Sequence, residues 1–203
     1  MRRRLPARAH RAAWLAALLM AGCAGSPPPP ADSFHRLAPP PPEPRTSPLF
    51  GGVVEVERLG ASDLLRGRAL VVASADRPDL LRRSGYHYWV DAPPVLLQDA
   101  LLGWLREGNL AERAVRAEAR DRAAWTIAGR VLRFERLAPR QAAVTLELSL
   151  RRAGERGLVV QGTYAATAAA DGDSMEAAVR ALGEATAEAF AAFSADLAAV
   201  AAP

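Results

Sequence analysis

From residue 49 onward, short apolar runs alternate with charged or glycine-containing breaks, and the spacing of the apolar positions changes along the chain. Val53, Val54 and Val56 predict a first strand, Ala69 to Ala73 a second, and Leu80 to Val90 a third that carries Tyr86, Tyr88 and Trp89. Ser62 to Leu65 reads as a turn or helical loop, and Asp76-Arg77-Pro78-Asp79 as a turn. The period then becomes helical: after Asp91-Ala92-Pro93-Pro94, Leu97, Leu101, Trp104 and Leu105 recur on one face until Gly108-Asn109 ends the run. Asp91 is the expected cap, with prolines tolerated in the first turn. Residues 110 to 122 predict a short strand and a loop.

Ala124 to Leu137 predicts a strand with Trp125, Ile127 and Val131 on one face and Leu132 and Phe134 on the other. Apolar residues on both faces suit a central strand, or one bulged near Gly129. Val144, Leu146, Leu148 and Leu150 alternate with Thr145, Glu147 and Ser149, the period of a half-buried antiparallel strand. The turn at 152–157 leads back into Leu158 to Thr167, completing a hairpin. A long helix follows from Asp173-Ser174-Met175-Glu176, where Asp173 and Glu176 resemble a capping box. Its stripe is Met175, Val179, Leu182, Thr186, Phe190, Phe193, Leu197 and Val200; Glu176 and Arg180 on the far face are spaced for an ion pair. The fold expected is α+β: an antiparallel sheet of about five to six strands with two main helices packed on it, spanning 49–201.

The N-terminal quarter has a different pattern. Residues 23–48 contain ten prolines, including Pro27 to Pro30 and Pro39 to Pro42, which excludes a continuous helix. Fully extended, such a linker would reach roughly 80 Å at ~3.1 Å per residue. Phe34-His35-Arg36-Leu37 interrupts it with an apolar pair and is expected to return to the domain as an edge strand. Upstream, Arg2, Arg3, Arg4, Arg8 and Arg11 precede an uncharged segment from Ala12 to Gly22, the basic and apolar regions of a secretory signal over 1–22. The apolar run is too short to span a bilayer as a helix, which takes ~20 residues. Leu18-Leu19-Met20-Ala21-Gly22-Cys23 resembles a bacterial lipobox, with Met20 where Leu is usual. Cys23, the sole cysteine, is the expected attachment point of the covalent lipid, and each buried CH2 of such an anchor contributes about 0.8 kcal/mol.

Charge and chemistry narrow the functional classes. All five basic residues before Cys23 leave with the signal, so 21 basic residues face 22 acidic ones and no basic surplus remains for nucleic acid. Every basic residue is arginine, which removes any P-loop lysine or Schiff-base amine. Only His35 and His87 remain downstream of Cys23, with no His-x-x-x-His pair and no Gly-x-Ser-x-Gly elbow; neither a catalytic site nor a metal or other cofactor is expected.

Arg68-Ala69-Leu70-Val71-Val72, Asp76-Arg77-Pro78, Tyr86-His87-Tyr88-Trp89-Val90-Asp91-Ala92-Pro93-Pro94 and Leu96-Leu97-Gln98-Asp99-Ala100-Leu101 occur in an order that resembles the ABC-type transport auxiliary lipoproteins, including PqiC-like proteins. Phe34-His35-Arg36-Leu37 is similar to that family's aromatic-x-Leu motif after the lipid cysteine, and Ile127 to Glu135 to a late strand. The resemblance covers about 34–200. It implies a non-enzymatic periplasmic protein on the outer membrane that works with an MCE-domain substrate-binding protein, an ABC permease and an ATPase in lipid transport. Ala24 after the cysteine agrees with outer-membrane sorting, and self-association stays open. The expected docking segment is Arg82, Arg83, Tyr86, His87, Tyr88 and Trp89, since aromatics and arginine are enriched at interfaces. On a strand Tyr86 and Tyr88 share one face and His87 and Trp89 the other, so one pair is also a core candidate. A lipid-binding carrier and an assembly factor for another envelope complex are the alternatives.

Overall fold

A computed structural model describes residues 28–74, 76–77, 79–119 and 122–201. The compact unit begins at Asp32. Among the described residues its nine strands are β1 (Ser33–His35), β2 (Phe50–Val56), β3 (Gly60–Ala61), β4 (Ala69–Ala73), β5 (Leu81–Trp89), β6 (Ala111–Arg116), β7 (Trp125–Leu137), β8 (Gln141–Arg152) and β9 (Leu158–Ala169); the α-helices are α1 (Pro93–Glu107) and α2 (Met175–Ala201). No helix among the described residues is long and apolar enough to cross a membrane.

The sheet is mixed, which corrects the antiparallel expectation. The hairpin of β8 and β9 forms as the alternation predicts, and β8 also pairs antiparallel with β7. The other edge of β7 is lined in succession by β2, β3 and β4, all parallel to it. Parallel neighbours need long crossovers, and α1 with β5 and β6 supplies them. Alternation within a strand reports burial and is silent on which distant strand lies alongside.

In β7, Val131 pairs with Leu146 and Arg133 with Thr145, so Leu132 is an extra residue. That bulge resets the side-chain parity. Phe134 therefore shares the buried face of Ile127 and Val131, and Leu132 is exposed. Gly129 is regular instead: a Cβ there would lie 2.2 Å from the Glu147 carbonyl oxygen, so the position is small because β8 comes close.

Both helices cover the same core. Leu97, Leu101 and Leu105 of α1 join Leu182, Phe190, Phe193 and Leu197 of α2 over Ile127, Val131, Phe134, Leu146, Leu148 and Leu150. The predicted stripe of α2 holds through Leu197, whereas Val200 is exposed. Trp104 joins the helices, its ring against Phe190 and its indole N–H donating to Ser194 Oγ at 2.9 Å.

The caps shift by one residue from the expected ones. Ala92 occupies the N-cap of α1 without a side-chain bond, and the prolines at its first two positions remove amides that would need a partner. At α2 the cap is Ser174, whose Oγ accepts the Ala177 amide at 3.1 Å. Asp173 accepts two hydrogen bonds from Arg140 in the β7–β8 turn, at 3.0 and 2.9 Å. No Glu176–Arg180 ion pair forms among the described residues; Glu176 lies toward His35 and His87.

The proline-rich segment returns to the domain from Ser33 onward. β1 pairs with the edge of β5, in parallel, and the His35 carbonyl accepts the Val90 amide at 2.9 Å. Residues 36–47 then form a strap across both helices. Leu37 packs on the core, Ala38 lies against Gly183 of α2, and Pro42 against Gly108. The Arg45 amide donates to the Gly108 carbonyl at 3.1 Å, and Asn109 Nδ2 to the Arg45 carbonyl at 3.0 Å.

Candidate docking surface

A wide irregularity in β5 shapes the outer face at the β1 edge. Val71 pairs with Arg83 and Ala69 with Tyr88, so residues 84–87 bow out opposite Leu70. The Tyr88 hydroxyl donates to the Gly85 carbonyl at 2.7 Å, and the His87 amide to Ser84 Oγ at 3.3 Å, which gives the bow its own polar partners. Tyr86 is exposed on its crest.

Beside the bow, Phe34 pairs with Tyr88 across the β1–β5 ladder, ring centroids 5.8 Å apart. Phe34 is 56% exposed, the most open large apolar side chain among the described residues. The Arg68 guanidinium sits 5.2 Å over its ring, and Arg68 Nε donates to the Trp89 carbonyl at 3.0 Å. Such an exposed cation–π contact contributes about 0.5–1 kcal/mol, enough to orient the ring without covering it. Asp32, Phe34, Gly67, Arg68, Arg83 and Tyr88 line an open cleft of about 530 Å³. Arg83 reaches the Asp63 carbonyl at 3.4 Å.

The six predicted docking residues therefore divide. Arg82 and Tyr86 are exposed, Arg83 and Tyr88 line the cleft, and His87 faces inward. Trp89 offers no surface: it is 1% exposed, with its ring 5.1 Å from that of Phe134 in the core. Strand parity explains the split, because Trp89 shares the inner face with His87 and His35 while Tyr88 and Phe34 share the outer one. Sequence reasoning missed Arg68 and Asp32, and it placed Phe34 in an edge strand without giving it a surface role. The signal for Phe34 was an aromatic alone in a proline-rich segment. Cys23 lies outside the described residues.

On the inner side, His35 Nε2 and His87 Nδ1 share a hydrogen bond at 3.1 Å. Their ring centroids are 5.3 Å apart with planes 25° from parallel, the separation of two rings meeting nitrogen to nitrogen rather than face to face. Burial, and then the neighbouring His87, hold the His35 imidazole below its usual value, opposed by Glu176. Glu176 is itself held low by a bond from its own backbone amide and one from Ser174, with the two imidazoles adding to this. One ligand atom from each of His35, His87 and Glu176 lies within 4.8 Å of the others, a convergence that the histidine count did not predict.

A family model described as ABC-type transport auxiliary lipoprotein component matches residues 35–193. The fold is similar to that of a DUF330-family protein from Xanthomonas campestris, with a TM-score of 0.69 at 14% identity over 79% of this chain and 92% of that one. A second crystal structure, of an uncharacterized protein, aligns with a TM-score of 0.63 at 17% identity over 84% of this chain and 98% of the other. No curated protein matches the sequence significantly.

Proposed function

Because the chain belongs to the family of ABC-type transport auxiliary lipoprotein components, we propose that it is the non-catalytic, outer-membrane subunit of an MCE-type lipid transporter. In this reading Cys23 carries the lipid on the periplasmic face, and the residues between it and the compact unit serve as the tether. The lysine-free chain leaves ATP hydrolysis to a partner ATPase. Its own task is to hold the MCE-domain protein, and through it the permease. Anchoring favours even a weak contact by raising the effective concentration of the two partners.

The observation that carries this reading is the aromatic and arginine cluster of Phe34, Arg68, Arg83, Tyr86 and Tyr88, solvent-open where the tether enters the domain. Burying a phenylalanine side chain contributes about 1.5–3 kcal/mol, and arginine beside aromatics is the composition of interface hot spots. A carrier would need an enclosed apolar cavity. Here the space between helices and sheet is filled by side chains such as Phe190, Phe193 and Leu146, each fully buried.

The test is affinity capture from detergent-solubilised membranes, comparing wild type with an R82E/R83E double variant and with F34A. Wild type should recover an MCE protein with its permease and ATPase, and both variants should lose most of that yield while keeping the wild-type circular dichroism. Wild type that recovers no ABC transport component overturns the function, and undiminished capture by the folded variants overturns the surface. Stoichiometric phospholipid in the mass spectrum of the purified protein would favour the carrier.

A further inference from the structure

The strap and β1 bring together groups that are far apart in the chain. His35 arrives on β1, His87 on the bowed part of β5, and Glu176 on the first turn of α2. We infer that His35, His87 and Glu176 form a binding site for one divalent ion of the zinc class, fastening β1 to the domain.

Geometry supplies the first argument. Two nitrogens bound at 2.0–2.1 Å to one tetrahedral ion lie roughly 3.3 Å apart. His35 Nε2 and His87 Nδ1 are 3.1 Å apart and half-buried, so a modest swing of each ring turns facing nitrogens into adjacent ligands. Glu176 completes the set from the solvent side. Its side chain is exposed and held by its own amide and Ser174 rather than by an arginine, so it can turn toward an ion without breaking an ion pair.

Donor chemistry selects the ion. Two imidazoles and one carboxylate form a set suited to Zn2+, with a fourth position left to water. Mg2+ and Ca2+ take oxygen donors almost throughout and would not favour two nitrogens. Both histidines downstream of Cys23 are used in this one place. The consequence is a cross-link: the ion would tie the β1 end of the strap to two elements of the domain body, in a region held by a three-residue ladder and the contacts of Phe34 with Tyr88 and Arg68. This inference is independent of the transport partner.

Co2+ titration of the full chain in detergent tests it, because tetrahedral Co2+ absorbs in the visible and reports its ligands. One Co2+ per chain should bind with such a band and be displaced by Zn2+. H35A and H87A should abolish the band. E176Q alters an exposed side chain and leaves the core untouched. It should weaken binding by more than the roughly 10–100-fold that loss of an outer-shell partner costs. A C23S chain is titrated alongside and should behave as wild type. The inference is overturned by absence of the band, by its survival in H35A and H87A, by unchanged affinity in E176Q, or by a band that needs Cys23.

Discussion

Gly183 is where the strap can be released without damaging the domain. It is buried in the N-terminal part of α2, and a Cβ added there would lie 2.9 Å from the Ala38 carbonyl oxygen and 3.4 Å from its carbon. Comfortable contact begins near 3.5 Å, so in G183A either helix or strap must move by about 0.5 Å. The helix is packed on the sheet and the strap lies on the outside, so the strap yields. Two effects then oppose each other. Alanine in a helix interior is favoured over glycine by about 1 kcal/mol, which raises or preserves global stability. Lifting Ala38 also loosens Leu37, a half-buried side chain whose full burial would contribute about 1.5–3 kcal/mol. Strap opening should therefore become easier by roughly 1–2 kcal/mol, a factor of about 5–30 in the open population. Arg36 and Arg45 lie on the strap and are trypsin sites, so cleavage there reads that population when reclosing outpaces the protease. Mass spectrometry of timed digests should show cleavage at Arg36 and Arg45 faster by that factor in G183A, with the thermal midpoint equal to or above wild type. Cleavage within about twofold of wild type would refute the contact, and a fall of more than ~2 kcal/mol in urea-unfolding stability would place the strain in the core instead.

Two further substitutions test the sheet. G129A should destabilise by about 3 kcal/mol or more, since the new methyl meets the Glu147 backbone oxygen at 2.2 Å and the β7–β8 ladder cannot part locally without losing its bonds; urea unfolding reads this, and a loss under ~1 kcal/mol contradicts it. Y164F removes only the hydroxyl that donates to Asp196 at 2.8 Å and should cost about 1 kcal/mol, whereas Y164A also removes a ring packed edge-on against Phe193 and should cost about 3–5 kcal/mol in the same assay.

What was legible in the chain follows its local physics. Period-two alternation marked the β8–β9 hairpin, the helical stripe marked both long helices, and an apolar pair among prolines marked β1. The misreadings came where a remote partner decides. Leu132 looked like a core residue because parity was counted through a bulge that only the β8 register shows. Asp173 looked like a cap because its acidity suits a helix start; Arg140, held in the hairpin turn, engages it instead, and Ser174 takes the cap. The parallel partners of β7 leave no local signal, because β2, β3 and β4 meet it only after the chain has passed through β5, α1 and β6. The same limit applies to the sites: strand parity left open which of the pairs Tyr86/Tyr88 and His87/Trp89 faces the core, and His35, His87 and Glu176 come together only across three separate elements.

The parallel pairing of β1 with β5 also has a mechanical side. A load applied at Asp32 along the axis of β1 pulls the ladder from Ser33 to His35 in shear, so its bonds share the force instead of opening one at a time. Should they give way, the next resistance is the strap, laid over the helices and pinned at Gly183 and Gly108, with Arg45 bonded beyond. Those elements can pay out as slack before any tension reaches β2. The arrangement acts as a strain relief between the chain at Asp32 and a rigid sheet, and the bowed, open face beside it would be the first part of the domain to register the pull.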